Sequence, residues 1–343
     1  MTPASEIPGN ILEVEGLKTY FFTRAGVVKA VDDVSFTLKR GETLAIVGES
    51  GCGKSVTALS IMRLVPNPPG LMVDGRVKLD GRELLQLDED AMREVRGNLI
   101  SMIFQEPMTS LNPVMTIGNQ IGEAIRLHQD LPESAIAEKA VESLRLVRIP
   151  EPAQRATEYP HQLSGGMRQR AMIAMALACN PKVLVADEPT TALDVTIQAQ
   201  ILDLMLGLQH RLGTALILIT HDLGIVAETA QRVIVMYAGH KVEEADVEEI
   251  FELPLHPYTR GLVDSIPRLP SMRGKPAAAG AKLAEIPDMV PALSDLPPGC
   301  LFAPRCALAD ERCGETYPPY EEKRTGHWAA CWHSDQLQGG GDV

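Results

Sequence analysis

Residues 48–55 have the types and spacing of a phosphate-binding loop. They read Gly48-Glu49-Ser50-Gly51-Cys52-Gly53-Lys54-Ser55 and are followed by Val56. Glycines let the backbone curl until successive N–H groups point at one anion, and Lys54 supplies a cation for the β- and γ-phosphates. The hydroxyl of Ser55 lies one position further on, where it can reach a Mg²⁺ ion. Residues 48–56 are therefore predicted to bind a nucleoside triphosphate.

The segments on either side of this loop are those that such a site requires. Residues 44–47 (Leu-Ala-Ile-Val) form an apolar run typical of a buried parallel strand, and residues 56–64 are compatible with a helix. A glycine turn without a ligand is the alternative, but it leaves the adjacent lysine and serine unexplained.

A second apolar run ends in two carboxylates. Residues 183–186 are followed by Asp187 and Glu188. Ligands gather at the carboxyl ends of parallel strands, so Asp187 is predicted to belong to the Mg²⁺ site. Glu188 is predicted to activate a water molecule against the γ-phosphate. The alternative is a pair of carboxylates that caps the next helix.

The segment between Lys54 and Asp187 is longer than a strand–helix–strand unit needs, and it contains two further signals. Gln105 follows the run at residues 99–104, where a neutral amide can meet a metal or the attacking water. Ser164-Gly165-Gly166 precede a helical run at residues 171–178. They therefore predict a second helix N-terminus suited to an anion.

With these motifs in this order, the chain resembles the ATP-binding-cassette (ABC) transporter ATPases over about residues 10–250. The resemblance implies an α/β P-loop NTPase (RecA-like) cassette with a helical subdomain. It implies that Phe21 stacks on adenine, with Tyr20 as the competing aromatic, and that residues 163–167 are the cassette signature. It also implies that Gln105 forms the Q-loop, Ala192-Leu193-Asp194 the D-loop, and His221 the switch histidine that steadies the γ-phosphate.

The resemblance also implies partners. Two cassettes face each other head to tail, so that Ser164, Gly165 and Gly166 of one chain close over ATP held by the other. A second ATPase chain, expected to be a different one, would pair with this chain. Two transmembrane permease subunits and an extracytoplasmic solute-binding protein complete the expected complex.

Two segments resemble one branch of these transporters, the oligopeptide, dipeptide and nickel importers. They are residues 102–113 and His256-Pro257-Tyr258. The implied function is hydrolysis of ATP to drive peptide uptake, with nickel or another small solute as the alternative. ATPases of DNA repair or translation are disfavoured because the chain shows no sustained heptads and contains one phosphate loop.

Composition limits the partners and the location. The net charge is −13 and the pI is about 5.1, which argues against nucleic acid as a ligand. The most apolar run, at residues 215–219, is too short to span a bilayer, and the first residues lack a signal sequence. We therefore expect the chain at the cytoplasmic face of the membrane, held there by its partners.

Beyond the cassette, residues 251–298 contain the His-Pro-Tyr signature and a proline-rich linker, and residues 299–333 hold four cysteines. These are Cys300, Cys306, Cys313 and Cys331. A reducing compartment disfavours disulfides, and four soft ligands in a short segment suggest a metal. They suit a [4Fe–4S] cluster, which some members of the resembled branch bind, while zinc or metal-free thiols remain alternatives. We expect such a cluster to order the tail without taking part in hydrolysis.

Overall fold

Strands of two sheets make up the framework of the computed structural model, which describes residues 9–105, 110–190, 194–266 and 286–337. The strands are β1 (Asn10–Thr23), β2 (Gly26–Lys39), β3 (Thr43–Val47), β4 (Gly70–Leu79), β5 (Arg82–Glu83), β6 (Ile100–Ile103), β7 (Val183–Asp187), β8 (Ala215–Ile219), β9 (Arg232–Tyr237), β10 (His240–Asp246), β11 (Glu321–Arg324) and β12 (His327–Ala329).

The described helices lie between and around these strands. They are α1 (Lys54–Ile61), α2 (Glu89–Val95), α3 (Ile117–His128), α4 (Glu133–Leu146), α5 (Pro152–Arg155), α6 (Gly165–Leu177), α7 (Val195–Leu212), α8 (Leu223–Thr229), α9 (Val247–Glu252), α10 (Pro257–Asp264), α11 (Glu311–Glu315) and α12 (Ser334–Leu337). Short 3₁₀ turns cover Pro160–Gln162 and Ala303–Arg305.

The larger sheet has the order β11-β12-β10-β9-β3-β8-β7-β6. Its members β9, β3, β8, β7 and β6 run parallel, and β3, β6, β7 and β8 are buried along their whole length. Continuous apolar runs form such strands because both faces are covered. Their carboxyl ends lie at one edge, where the phosphate loop, Gln105, Glu188 and His221 follow directly. The predicted α/β class with a parallel sheet is confirmed.

The smaller sheet is antiparallel, with the order β2-β1-β4-β5. Helix α1 lies between the two sheets, and its Ala58 and Ile61 share one core with Leu12 of β1 and Val185 of β7. Burial of this apolar surface stabilises α1 against the strands, at roughly 25 cal/mol per Å² removed from water. The phosphate loop is thereby held between two packed layers.

A helical layer covers the other face of the large sheet. Helices α3, α4 and α6 share a core that includes Ile121, Leu144 and Ile173, and this core continues to Leu184 of β7 and Leu218 of β8. Where it is described, the chain between β6 and β7 is helical or irregular. This layer is the predicted helical subdomain.

The C-terminal part of the chain continues the large sheet. Strand β12 pairs with β10 through Glu243 and Ala329, and Phe302 joins the core around Tyr237 and Tyr258. Of the predicted proline-rich linker, residues 257–264 form helix α10, whereas residues 267–285 lie outside the described residues. The boundaries at 250 and 298 remain predictions. None of the helices described is both long and apolar enough to span a bilayer.

Candidate nucleotide site

The phosphate loop turns so closely that two of its positions require glycine. Gly48 has φ 149° and Gly53 has φ 104°. A Cβ atom on Gly48 would lie 2.3 Å from the carbonyl oxygen of Met236, and one on Gly53 would lie 2.2 Å from that of Ala30. The loop therefore packs against the backbone of Met236 and Ala30. This contact leaves no room for a side chain at positions 48 and 53.

Lys54 folds back over this loop. Its ammonium group donates hydrogen bonds to the carbonyl oxygens of Gly48 at 2.7 Å and Glu49 at 3.0 Å, and the side chain is buried. The cation is thereby held over the loop at the end of β3. It lies at the position from which a lysine can neutralise β- and γ-phosphates.

Ser55 and Asp187 meet across the site. The Ser55 hydroxyl donates a hydrogen bond of 3.0 Å to Oδ1 of Asp187. Burial raises the pKa of Asp187, and the charge of Glu188 adds to this, while the Ser55 hydrogen bond and Lys54 oppose it. A hydroxyl and a buried carboxylate are oxygen ligands of the kind that Mg²⁺ takes together with substrate phosphates. These two residues therefore fit the predicted Mg²⁺ site.

The three predicted catalytic side chains lie together at the ends of neighbouring strands. Nε2 of Gln105 donates a hydrogen bond of 2.8 Å to Oε2 of Glu188, and Nδ1 of His221 lies 3.3 Å from Oε1 of the same carboxylate. Glu188 itself has φ 45°, a conformation that is strained for a residue with a side chain. In this conformation the carboxylate lies between the amide and the imidazole.

Ser164 and Asp194 cap two helices whose first turns are neighbours. The hydroxyl of Ser164 accepts from the N–H of Met167 at 3.4 Å, and Asp194 accepts from the N–H of Ile197 at 3.0 Å. Both caps are exposed, and a Cβ on Gly166 would lie 3.2 Å from Ile197. The predicted signature and D-loop thus adjoin each other, although Ala192 and Leu193 lie outside the described residues.

The sequence predicts that the helix following the signature begins at residue 171, but α6 begins at Gly165. The reason is the Ser164 cap, which satisfies an N–H group of the first turn. Gly165 and Gly166 therefore belong to the helix and present their N–H groups at its N-terminus.

The two candidate adenine-binding aromatics on β1 have different surroundings. The Tyr20 hydroxyl donates a hydrogen bond of 2.7 Å to Asp32, and burial and Asp32 raise its pKa to about 12. Phe21 is half-buried and pairs with Val28 and Gly70 of the adjoining strands. Tyr20 is thus engaged by its own sheet, and adenine stacking by Phe21 remains a prediction.

The four C-terminal cysteines form a group of buried or half-buried thiols. Burial raises the pKa of each, that of Cys331 to about 11. The charge of Cys306 further raises the pKa of Cys300, Cys313 and Cys331. Metal binding would convert these thiols to thiolates, and a soft metal ion fits such sulfur ligands.

Another possible ligand group adjoins these cysteines. Among the described residues, Asp310, Cys313 and His333 are the group of three whose ligand atoms lie within 4.8 Å of one another. No three of the four cysteine sulfurs converge that closely. A single zinc ion with Zn–S bonds of about 2.3 Å would draw them together, whereas an iron–sulfur core separates its ligands more widely.

Two residues that the sequence did not assign to the nucleotide site contact its loop. Tyr258, interpreted only as part of a branch signature, accepts a hydrogen bond from the N–H of Glu49 at 2.7 Å. Arg305 forms an ion pair with the Glu49 carboxylate at 2.7 Å. No sequence pattern pairs residues 49 and 305, and the one available signal was the position of this arginine between two cysteines.

Comparison with known proteins places these residues in a family. Residues 31–191 match the family described as ABC transporter, and residues 242–313 match the one described as oligopeptide/dipeptide transporter, C-terminal region. The chain is 56% identical over 327 residues to a probable peptide ABC transporter ATP-binding protein of Sinorhizobium fredii, covering 95% of this chain and 96% of that protein.

Two Bacillus subtilis proteins are similar over nearly the same length. One is the oligopeptide transport ATP-binding protein AppD, 51% identical, covering 94% of this chain and 96% of that protein. The other is the dipeptide transport ATP-binding protein DppD, 50% identical, covering 95% of each. A solved structure, the dimeric post-hydrolysis state of the ATP-binding cassette MJ0796 bound to ADP and Pi, has a TM-score of 0.62. It is 27% identical and covers 69% of this chain and 98% of that one.

Proposed function

Because this chain belongs to the ABC transporter family of ATP-binding proteins, we propose that it hydrolyses ATP to drive peptide import. The observation that carries the proposal is the convergence of Glu188, Gln105 and His221 beside a phosphate loop whose Ser55 touches Asp187. Similarity to transport proteins named for peptides, over almost the whole chain, supports the substrate class.

Each side chain has a role in this reaction. The phosphate-loop N–H groups and Lys54 hold the β- and γ-phosphates, and Ser55 and Asp187 hold Mg²⁺, which when bound neutralises phosphate charge. The Glu188 carboxylate accepts a proton from water as that water's oxygen bonds to the γ-phosphorus, and the bond to the ADP oxygen breaks. Gln105 and His221, already in contact with this carboxylate, orient the water and the γ-phosphate.

The proposed complex pairs this chain with a second, different ATPase chain. The exposed helix starts at Ser164 and Asp194 support a paired arrangement in which each signature closes over the partner's ATP, and the dimeric cassette of similar fold supports it too. Two permease subunits and a solute-binding protein complete the importer. We place the chain at the cytoplasmic face of the membrane through these partners.

Lys54→Ala is expected to weaken MgATP binding at least about tenfold. The charge-assisted hydrogen bonds of its ammonium to phosphate are worth about 1.5–3 kcal/mol, and 1.4 kcal/mol corresponds to a factor of ten. Titration of the purified chain with a fluorescent ATP analogue measures this, with exposed Lys139→Ala as the matched control.

Uptake of labelled dipeptides and oligopeptides by the assembled transporter tests the substrate class. Uptake that stops in the Lys54→Ala transporter supports the proposal. Uptake of nickel, with no peptide transported, would assign the alternative solute.

We further propose that Cys300, Cys306, Cys313 and Cys331 hold a [4Fe–4S] cluster that orders the C-terminal residues. The four soft ligands support it, and no three of the described cysteine sulfurs come within 4.8 Å of one another, which favours a cluster over one zinc ion. Protein purified without oxygen is expected to be brown, with about four irons per chain. Cys306→Ser is expected to lose the colour and to become protease-sensitive beyond residue 290.

His333→Ala distinguishes a zinc ion bound by Asp310, Cys313 and His333 from a metal bound by the four cysteines. Asp310, Cys313 and His333 would bind a single zinc ion, so this variant would then lose metal. A cluster on four cysteines keeps its iron in the same variant. Stoichiometric zinc without iron would contradict the cluster, and a stable metal-free tail would contradict its structural role.

A further inference from the structure

Glu49, the second residue of the phosphate loop, is held at its backbone and at its side chain by residues beyond position 250. Its N–H donates a hydrogen bond of 2.7 Å to the hydroxyl of Tyr258. Its carboxylate accepts two hydrogen bonds from Arg305, one of 2.7 Å from Nη1 and one of 3.0 Å from Nη2. The loop is thus clamped from outside the segment that carries the nucleotide motifs.

Arg305 is itself fixed on several sides. Its side chain is 2% exposed, and its Nε donates a hydrogen bond of 2.7 Å to the carbonyl oxygen of Pro287. The guanidinium carbon lies 5.8 Å from the ring centres of both Tyr237 and Phe302. A bidentate arginine–carboxylate pair whose arginine is buried keeps a defined geometry, unlike a surface ion pair between mobile side chains.

The clamp continues to the lysine that binds phosphate. The carbonyl oxygen of Glu49 accepts a hydrogen bond of 3.0 Å from the ammonium group of Lys54. One residue therefore contacts Arg305 through its carboxylate, Tyr258 through its N–H and Lys54 through its carbonyl. A shift of Glu49 would move an oxygen that positions the Lys54 cation.

The position of Arg305 depends in turn on the cysteine region. It ends the short turn Ala303–Arg305, which lies between Cys300 and Cys306. The N–H of Ala303 donates to the carbonyl oxygen of Cys300 at 3.0 Å, and the N–H of Cys306 donates to that of Ala303 at 3.2 Å. A group that binds both cysteines would fix both ends of the turn that carries Arg305.

We propose that Arg305 and Tyr258 are positioning residues that set the conformation of the phosphate loop, so that nucleotide affinity depends on the order of the four-cysteine region. This inference rests on the proposed ATPase function. It adds an effect on nucleotide affinity to the expectation from sequence, in which a cluster orders the tail without taking part in hydrolysis. Tyr258 of the His-Pro-Tyr segment and Arg305 of the cysteine region thereby both contact Glu49.

A double-mutant cycle between Arg305 and Glu49 tests the coupling. Binding of a fluorescent ATP analogue with Mg²⁺ is measured on the full chain for Arg305→Met, Glu49→Gln and the double variant. Each single variant is expected to raise Kd about tenfold, as loss of one charge-assisted pair does. The double variant is expected to bind no more weakly than the weaker single variant, because both changes remove the same contact.

Companion variants define the contact further. Arg305→Lys keeps the charge without the two-pronged geometry and is expected to recover part of the affinity. Tyr258→Phe is expected to raise Kd about threefold, the lower range for loss of one neutral hydrogen bond. Arg324→Met is the matched control, an exposed arginine on β11 of the same region, and is expected to leave Kd unchanged.

The link between nucleotide affinity and the four-cysteine region is tested in the same assay. Cys306→Ser is expected to weaken binding by a similar factor, and Arg305→Met added to Cys306→Ser is expected to cause no further loss. The Kd is read separately from the number of binding sites, since a purely structural role would reduce the sites and leave Kd unchanged.

An unchanged Kd for both Glu49→Gln and Arg305→Met would overturn the inference, and so would fewer sites at constant Kd. If Arg305→Met does not fold, Glu49→Gln and Arg305→Lys decide the question. ATP binding by the parental chain separates this inference from the proposed function. Failure of the parental chain to bind ATP contradicts the ATPase assignment. Normal binding by all variants contradicts only the role of Arg305 and Tyr258 in positioning Glu49.

Discussion

Glu188→Gln is expected to lower ATP hydrolysis by the assembled transporter at least about 100-fold, the lower range for loss of a general base. The amide has nearly the same shape as the carboxylate but cannot accept the proton of the attacking water. Its oxygen can still accept the hydrogen bond from Gln105, which is 2.8 Å from the carboxylate. ATP binding is therefore expected to remain near the parental value, and closed pairs of cassettes are expected to accumulate.

Phosphate release at saturating ATP measures this effect, and ATP affinity is determined in parallel. Glu228→Gln, an exposed glutamate on α8, is the matched control and is expected to hydrolyse normally. Hydrolysis by Glu188→Gln at near the parental rate would show that another group accepts the proton.

Ser164→Arg is expected to abolish closure of the paired cassettes and to reduce hydrolysis by about 100-fold or more, because catalysis then loses the partner's transition-state contacts. Ser164 is exposed at the start of α6, and in the proposed pair its small side chain would leave room for a nucleotide held by the partner. An arginine would fill that space. Binding of ATP to the isolated chain is expected to stay unchanged.

Cross-linking of the pair with ATP present, together with ATP affinity of the isolated chain, measures the two parts of this prediction. Loss of the Ser164 cap alone costs about 0.5–2 kcal/mol of stability. Asp88→Arg removes a comparable cap from α2 and is the control for that cost. Weaker ATP binding by isolated Ser164→Arg chains would contradict the arrangement in trans.

Much of the nucleotide site could be predicted because its parts are local. The phosphate loop, Glu188 and His221 each follow an apolar run, and each run forms a buried parallel strand. Carboxyl ends of parallel strands share one edge, so strand recognition alone brings these groups together. The sequence does not predict the start of α6 at Gly165, because the Ser164 cap determines it. The low helix propensity of glycine instead places Gly165 and Gly166 outside the helix.

The sequence by itself determined the order of the motifs and the residue types within them. From these come the predictions of which groups bind phosphate, which carboxylate meets the water, and which cysteines offer soft ligands. Only the tertiary structure decided that Glu49 meets Arg305 and Tyr258. The physical reason is that this contact depends on β12 extending the sheet beside β10 and on Phe302 packing against Tyr237. Such long-range pairing follows from side-chain packing across the whole fold, and no local pattern of residues encodes it.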